Sequence, residues 1–347
     1  MRKRRTYLVP FFVMILCGPL LAFGHEPQPG TDMFSIREEL SIGISAGEPE
    51  YMFSRISDIA VDDGGRIYVL DYMEAELRVF DREGRHLRTI GRRGQGPGEF
   101  SGPFSLGITA QDTIMVHDLM NHRISYFSMD GDFVNSFSTA GLVMVGGDVD
   151  AEGNIISLVF TNAPKEQILE LRRFDRRKNT LATYLTVTKT GSEATNNPLG
   201  PDFHWTRYLD NQVICGYAKT YELHVYDING KKVRTIEHDY SPVRIDQDEI
   251  ASLQKRMPFA VDVQAPKYRP AFQGVTADED GRVFVATWER PESGKGFLYD
   301  VFDRDGSFAA RIPLVSPPRI WKGSKLYTIE EDGEGYPVVK RYGVSWR

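Results

Sequence analysis

A phrase of roughly 40 residues returns along this chain, and no other feature limits the fold so severely. Its clearest copy runs from Ile56 to Glu99 and reads ISDIAVDDGGRIYVLDYMEAELRVFDREGRHLRTIGRRGQGPGE. Apolar Ile59 to Val61 precedes the turn Asp62-Asp63-Gly64-Gly65. Arg66 to Asp71 alternates around Ile67 and Val69, Leu77 to Asp81 follows, and Arg82-Glu83-Gly84 turns the chain into Leu87 to Ile90. β-branched and aromatic residues suit a half-buried pleated surface, while Gly accepts positive φ and Asp bonds its own local backbone in turns. Each copy therefore reads as four short strands joined by tight turns.

Partial copies follow at Ile108 to Ser138, Val149 to Val187, Trp205 to Ile236 and Val275 to Ile312. A weaker sixth unit supplies three strands at Arg319 to Trp321, Lys325 to Glu330 and Val338 to Trp346. Its missing fourth strand is expected from Met33 to Gly43, where Phe34, Ile36, Leu40 and Ile42 largely alternate. One such sheet cannot bury both its faces, so the units must stack around an axis. The expected fold is an all-β, six-bladed β-propeller with four-stranded blades. An N-terminal strand joining the C-terminal blade closes its ring and removes two open sheet edges. One segment departs from this pattern. Ile245 to Arg256 carries Asp246 as a cap and spaces Ile250, Leu253 and Met257 as one helical face, which predicts a short inserted helix ended by Pro258. The domain reading is a signal peptide over residues 1–24 and one propeller over 25–347, with a helical insertion at about 245–257.

The signal-peptide reading rests on Arg2, Lys3, Arg4 and Arg5, the apolar run from Leu8 to Phe23, and the small-x-small pattern Ala22-Phe23-Gly24. Pro10, Gly18 and Pro19 interrupt that run, which is shorter than a comfortable membrane span. A periplasmic or secreted protein is expected, with no stable span after cleavage. Removing those four basic residues leaves 38 basic and 48 acidic side chains. The resulting net charge of −10 disfavours nucleic acid as a partner. Cys215 alone remains after cleavage and reads as a small buried apolar residue.

The phrase GRRGQGPGEFSGPFSLGIT, Gly91 to Thr109, resembles the junction of NHL repeats, as does Asp62 to Asp71. The resemblance is strong in the first unit and faint in the third, fourth and sixth. It implies the exported bacterial six-bladed propeller fold and says little of activity, because propellers host many functions. Calcium-dependent lactonases share that fold and gather oxygen ligands on the axis.

Taking Ile56, Phe104, Met144, Phe203 and Phe272 as equivalent starts of innermost strands places Ser57, Ser105, Val145, His204 and Gln273 in one ring at the central tunnel. Asp58, Leu106, Gly146, Trp205 and Gly274 form the next. These rings suit a small polar ligand better than a calcium ion, so no metal and no cofactor are expected. Arg55, Arg92, Arg93, Lys267, Tyr268 and Arg269 would add positive and aromatic groups around the opening, suited to an anionic ligand. The glycine-rich loop precedes a strand, whereas a phosphate cradle opens a helix, so it reads as an interblade turn packed by Phe100. No catalytic triad, paired carboxylates or redox cysteine pair can be assembled. The sequence thus points to a monomeric binding propeller for a small polar or anionic ligand or a protein. The alternative is a metal-dependent hydrolase or lyase of the lactonase or amidating-lyase type with its site on the axis.

Overall fold

The computed structural model describes residues 34–163, 166–190, 197–256 and 266–346, so the expected signal peptide lies outside the described residues. The chain opens with β1, Phe34–Ile42, which is set aside for the last blade. Blade one follows as β2 (Ile56–Val61), β3 (Ile67–Asp71), β4 (Glu76–Phe80) and β5 (His86–Ile90). Blade two is β6 (Pro103–Ile108), β7 (Thr113–Asp118), β8 (Arg123–Ser128) and β9 (Phe133–Ser138). Blade three is β10 (Val143–Val149), β11 (Ile155–Ala163), β12 (Glu166–Phe174) and β13 (Thr180–Thr190). Blade four is β14 (Phe203–Tyr208), β15 (Gln212–Tyr217), β16 (Glu222–Tyr226) and β17 (Lys232–Glu237). Helix α1, Gln247–Arg256, comes next. Blade five is β18 (Gly274–Ala277), β19 (Val283–Ala286), β20 (Phe297–Phe302) and β21 (Phe308–Leu314). The last blade joins β22 (Pro318–Lys322), β23 (Lys325–Glu331) and β24 (Pro337–Trp346) to β1. Six four-stranded sheets result, each a meander of antiparallel neighbours. The protein is a six-bladed β-propeller.

The Asp-x-x-Gly turns work by one device. In the first, the Asp62 carbonyl accepts the Gly65 amide at 3.0 Å and the Asp62 carboxylate accepts the Arg66 amide at 2.8 Å. Gly65 takes φ +80°, which a residue with a Cβ rarely adopts. The same Asp-to-Gly backbone closure recurs at Asp81, Asp150, Asp227, Asp278, Asp303 and Asp332. The phrase thus repeats because the turn needs both ends of it.

Packing lies between blades. Six clusters of buried apolar residues occupy the six seams. Tyr68, Leu70, Phe100 and Phe127 fill the seam of blades one and two, for example, and Cys215 is buried between blades three and four. The ring closes where β1 pairs with β24 from Phe34 opposite Trp346 to Ile42 opposite Val339. Ile42 sits in the seam with blade one, beside Phe53 and Tyr327, and the Phe34 and Trp346 rings meet at 4.7 Å. Lys325 to Glu39 and Lys340 to Glu38 are surface ion pairs at 2.8 and 2.9 Å, and such pairs contribute little.

Apolar burial by β1 should therefore hold the ring shut. Ile42→Ala is expected to cost about 2–4 kcal/mol in chemical denaturation. Deleting residues 34–42 should expose the β24 edge and produce soluble aggregates or a lost cooperative transition. A truncated chain that unfolds like the intact one would show that the closure is dispensable.

Candidate functional site

Two regions bring together chemistry-bearing side chains: the tunnel along the axis and the face that carries the interblade loops. Counting back from the turn that ends each innermost strand fixes the tunnel register. Asp58 is opposite Leu70, Ser105 opposite His117, His204 opposite Gly216 and Gly274 opposite Ala286. Across the bulge in β10, Val145 is opposite Leu158, so Asp58, Ser105, Val145, His204 and Gly274 occupy one level. The expected alignment was one residue out in blades one and five relative to blades two, three and four. Register shifts show that the first strands of blades one, two and three are bulged, whereas blade five has no such shift and its offset comes from taking Phe272 as the equivalent start. Ser57 is not level with Ser105 and His204. Its hydroxyl donates to the Leu70 and Pro103 carbonyls at 3.2 and 3.0 Å. Trp205 packs against the core between blades three and four. His204 lies against Phe272 at 5.4 Å, and burial depresses its pKa against the pull of Asp202.

The tunnel wall holds a buried carboxylate and an ion pair that sequence reasoning did not assemble. Asp58 accepts the Ile59 and Leu106 amides at 2.9 Å each, and its charge interacts with Arg319 and Asp148. Asp148 accepts Arg207 at 2.8 Å. Burial dominates at Asp58, lifting its pKa from 3.8 to about 6 despite Arg319 and the two amides. Arg207 thus matches Asp148 within the tunnel wall, while Asp58 is held by two backbone amides. Among the described residues no three His, Cys, Asp or Glu side chains converge as a metal would require.

On the loop face, the expected basic residues divide. Arg92 pairs with Glu99 of its own loop at 2.8 Å, and Glu99 also accepts the Gly96 amide. Arg93 donates to the Met73 carbonyl. Both arginines brace the loop that seats buried Phe100. Arg55 lies 5.0 Å over the Tyr72 ring, while Asp71 accepts the Ser54, Arg55, Met73 and Glu74 amides. Asp118 braces the next blade through the Ser101, Gly102 and Asn121 amides. Gln273 donates to the Thr287 carbonyl. Lys267 and Tyr268 sit together at an exposed rim, with the Lys267 ammonium 5.2 Å from the Tyr268 ring. Blade six separates the blade of Arg55 from the blade that Lys267 to Arg269 precede, so these groups do not form one cluster.

Arg269 belongs to the most developed site. Its backbone N–H donates to Val243 at 2.8 Å, and Ile245 donates to Lys267 at 3.3 Å, which pins the neck of the insertion. Its guanidinium pairs with Glu249 of α1 and lies 4.3 Å over the Trp288 ring. Asp246 accepts the Asp248 amide at 3.0 Å and starts that helix. Beneath the neck, blades four and five frame a shallow cleft whose enclosed part has room for about one water-sized group. Tyr221, Tyr240 and Trp288 supply aromatic walls, and Glu289, Asp300 and Arg311 supply charge. Asp300 is fully buried, accepting Arg311 at 2.6 Å and the Tyr221 hydroxyl at 2.8 Å. Burial first, and then Asp300, pushes the Tyr221 phenol well above its ordinary range. Arg311 also reaches Glu289 at 3.2 Å. The Trp288 indole N–H is buried without a hydrogen-bond acceptor. Sequence reasoning reached only Arg269 of this site, since Tyr221 and Asp300 lie 79 residues apart on different blades.

A family model described as "6-bladed beta-propeller", DUF5128, matches residues 48–198. No curated protein matches the chain. Among solved structures it is similar to a Bacteroides fragilis protein named for its export, at 11% identity and TM-score 0.62, over 91% of this chain and 96% of that one. A DUF4221-family member from Bacteroides vulgatus follows at 13% identity and TM-score 0.54, over 92% and 100%. Virginiamycin B lyase from Staphylococcus aureus gives 8% identity and TM-score 0.50, over 90% and 100%. At such identities these likenesses show the fold alone.

Two outcomes test the site's electrostatics. Raised in the folded state, the Asp58 pKa makes the native protein bind more protons than the unfolded chain between pH 4 and 6, so its contribution falls as pH rises through that window. The stability of the parent minus that of Asp58→Asn should drop by about 2–3 kcal/mol from pH 4 to pH 7. A flat difference would remove Asp58 from that role. The paired comparison matters because buried His117, whose pKa is pushed down to about 4, titrates with the opposite sign. At the cleft, Arg311→Leu should cost about 3–5 kcal/mol by stranding Asp300, and Arg311→Leu with Asp300→Leu should recover part of it. Equal losses in both variants would contradict that coupling.

Proposed function

We propose that the protein is an exported binding propeller whose ligand docks on the loop face, in the cleft between blades four and five beneath the helical insertion. One observation carries this reading: Trp288, which lines the aromatic-walled cleft, holds a buried indole N–H with no acceptor. Burying a donor without a partner costs about 1–3 kcal/mol, a cost a ligand acceptor would offset. Pockets with mostly apolar walls and a few oriented polar groups are the usual form of small-molecule sites. The pinned neck of the insertion supports it, because Arg269 couples α1 to the ring that lines the cleft.

Export is supported by the basic, apolar and small-x-small pattern of residues 1–24. The fold similarity to a protein named for its export agrees with it. No helix among the described residues is long and apolar enough to cross a membrane. The NHL-like phrase at Gly91 to Thr109 supports a binding role in the general sense that such loops present a rigid face. A hydrolase or lyase reading would rest on likeness of fold to a lyase, which does not reach to chemistry.

A thermal-shift screen of the purified chain against mixed polar metabolites tests the location. Stabilising compounds should lose their effect in Trp288→Ala and keep it in Asp58→Asn. Compounds that ignore Trp288→Ala but fail with Asp58→Asn would move the site to the tunnel.

A further inference from the structure

We infer that the cleft recognises a neutral polyhydroxylated ring, a sugar residue presented at the end of a larger glycan or as a free glycoside. This deepens, and rests on, the reading of the cleft as the ligand site. The chemistry of the wall selects the class. Trp288 carries a buried donor without an acceptor. Glu289, whose side chain is 36% exposed, shares one Arg311 nitrogen between its two oxygens at 3.3 and 3.2 Å and keeps lone pairs that can accept a further donor. A hydroxyl group is both at once, and adjacent hydroxyls on a ring meet the two requirements from one rigid body.

Charge argues in the same direction. The charges at the wall are paired with one another, Arg311 with Asp300 and Glu289 and Arg269 with Glu249, so the wall has little net attraction for an anion or a cation. Asp300 has little left to give a cation, because Arg311 and Tyr221 each engage one of its oxygens. An uncharged ligand needs no such attraction. Tyr240, 37% exposed, holds its ring at 5.8 Å from that of Tyr221 and presents an apolar surface at the mouth, against which the C–H face of a sugar can lie. The enclosed part of the cleft is narrow, so it admits a single hydroxyl or hydroxymethyl group while the ring remains at the mouth.

The test sets three probe classes against the full chain, with saturation-transfer NMR and tryptophan fluorescence as readouts. The first is a set of methyl hexopyranosides and methyl N-acetylhexosaminides, the second acetate and succinate, the third ethylammonium and choline. At least one glycoside should bind with a Kd in the range of about 0.1–10 mM, and neither charged class should bind. Trp288→Phe keeps the ring but removes the N–H, and should weaken that glycoside about 3- to 10-fold with thermal stability held. Glu289→Gln should weaken it less, since an amide oxygen still accepts. Binding of the carboxylates or ammonium probes in place of every glycoside, with sensitivity to Trp288→Phe, would overturn the sugar inference and leave the cleft as the ligand site. If no probe responds to Trp288→Phe, both readings fail.

Discussion

Everything in this molecule depends on a sheet with two apolar faces that cannot shield either face alone. Each blade is shielded on both sides by its neighbours, and the six buried clusters correspond one to one with the six seams. An open row of five seams would leave two faces in water. The sixth seam is completed by β1, which crosses from the start of the described chain to pair with β24 and places Ile42 against blade one beside Tyr327 and Val339. Closure is thus a matter of apolar area and paired edges, with the ion pairs of Glu38 and Glu39 as surface additions.

A closed ring fixes what its loops can do. Interblade loops and the turns joining second to third strands all emerge on one face, where Asp71 and Asp118 each hold several backbone amides. The face is therefore rigid, and groups on it keep their spacing. Against that background the segment between blades four and five is distinctive. Its neck is pinned to the ring, its helix is tied back through Arg269 and Glu249, and a cleft opens where two blades and the insertion meet. The tunnel, by contrast, pairs Arg207 with Asp148 and holds Asp58 on two backbone amides.

The six blades, the closing strand and the inserted helix were legible in the sequence because their signals are local. An Asp and a Gly three residues apart make the turn, and alternation marks the strands beside it. What failed was longer in range. Where each innermost strand begins is not announced by composition, so the tunnel levels slipped by one in blades one and five. Arg92 and Arg93 looked available for an anion, yet their partners are a carboxylate in the same loop and a carbonyl of the blade behind it. The cleft was nearly invisible. Tyr221, Trp288, Asp300 and Arg311 come from two blades, and only the closed ring sets the phenol of one against the carboxylate of the other. Arg269 was singled out for its charge, whereas its role in the structure is to join the insertion to an indole face.

A crystal structure of the protein soaked in a mixture of methyl glycosides tests the central claim most directly. The account predicts ring-shaped density at the mouth of the cleft, stacked on Tyr240, with a hydroxyl oxygen within hydrogen-bonding distance of Trp288 Nε1. Density confined to the tunnel between Asp58 and Asp148, or a Trp288 N–H that stays unpaired while a glycoside binds elsewhere, would contradict it.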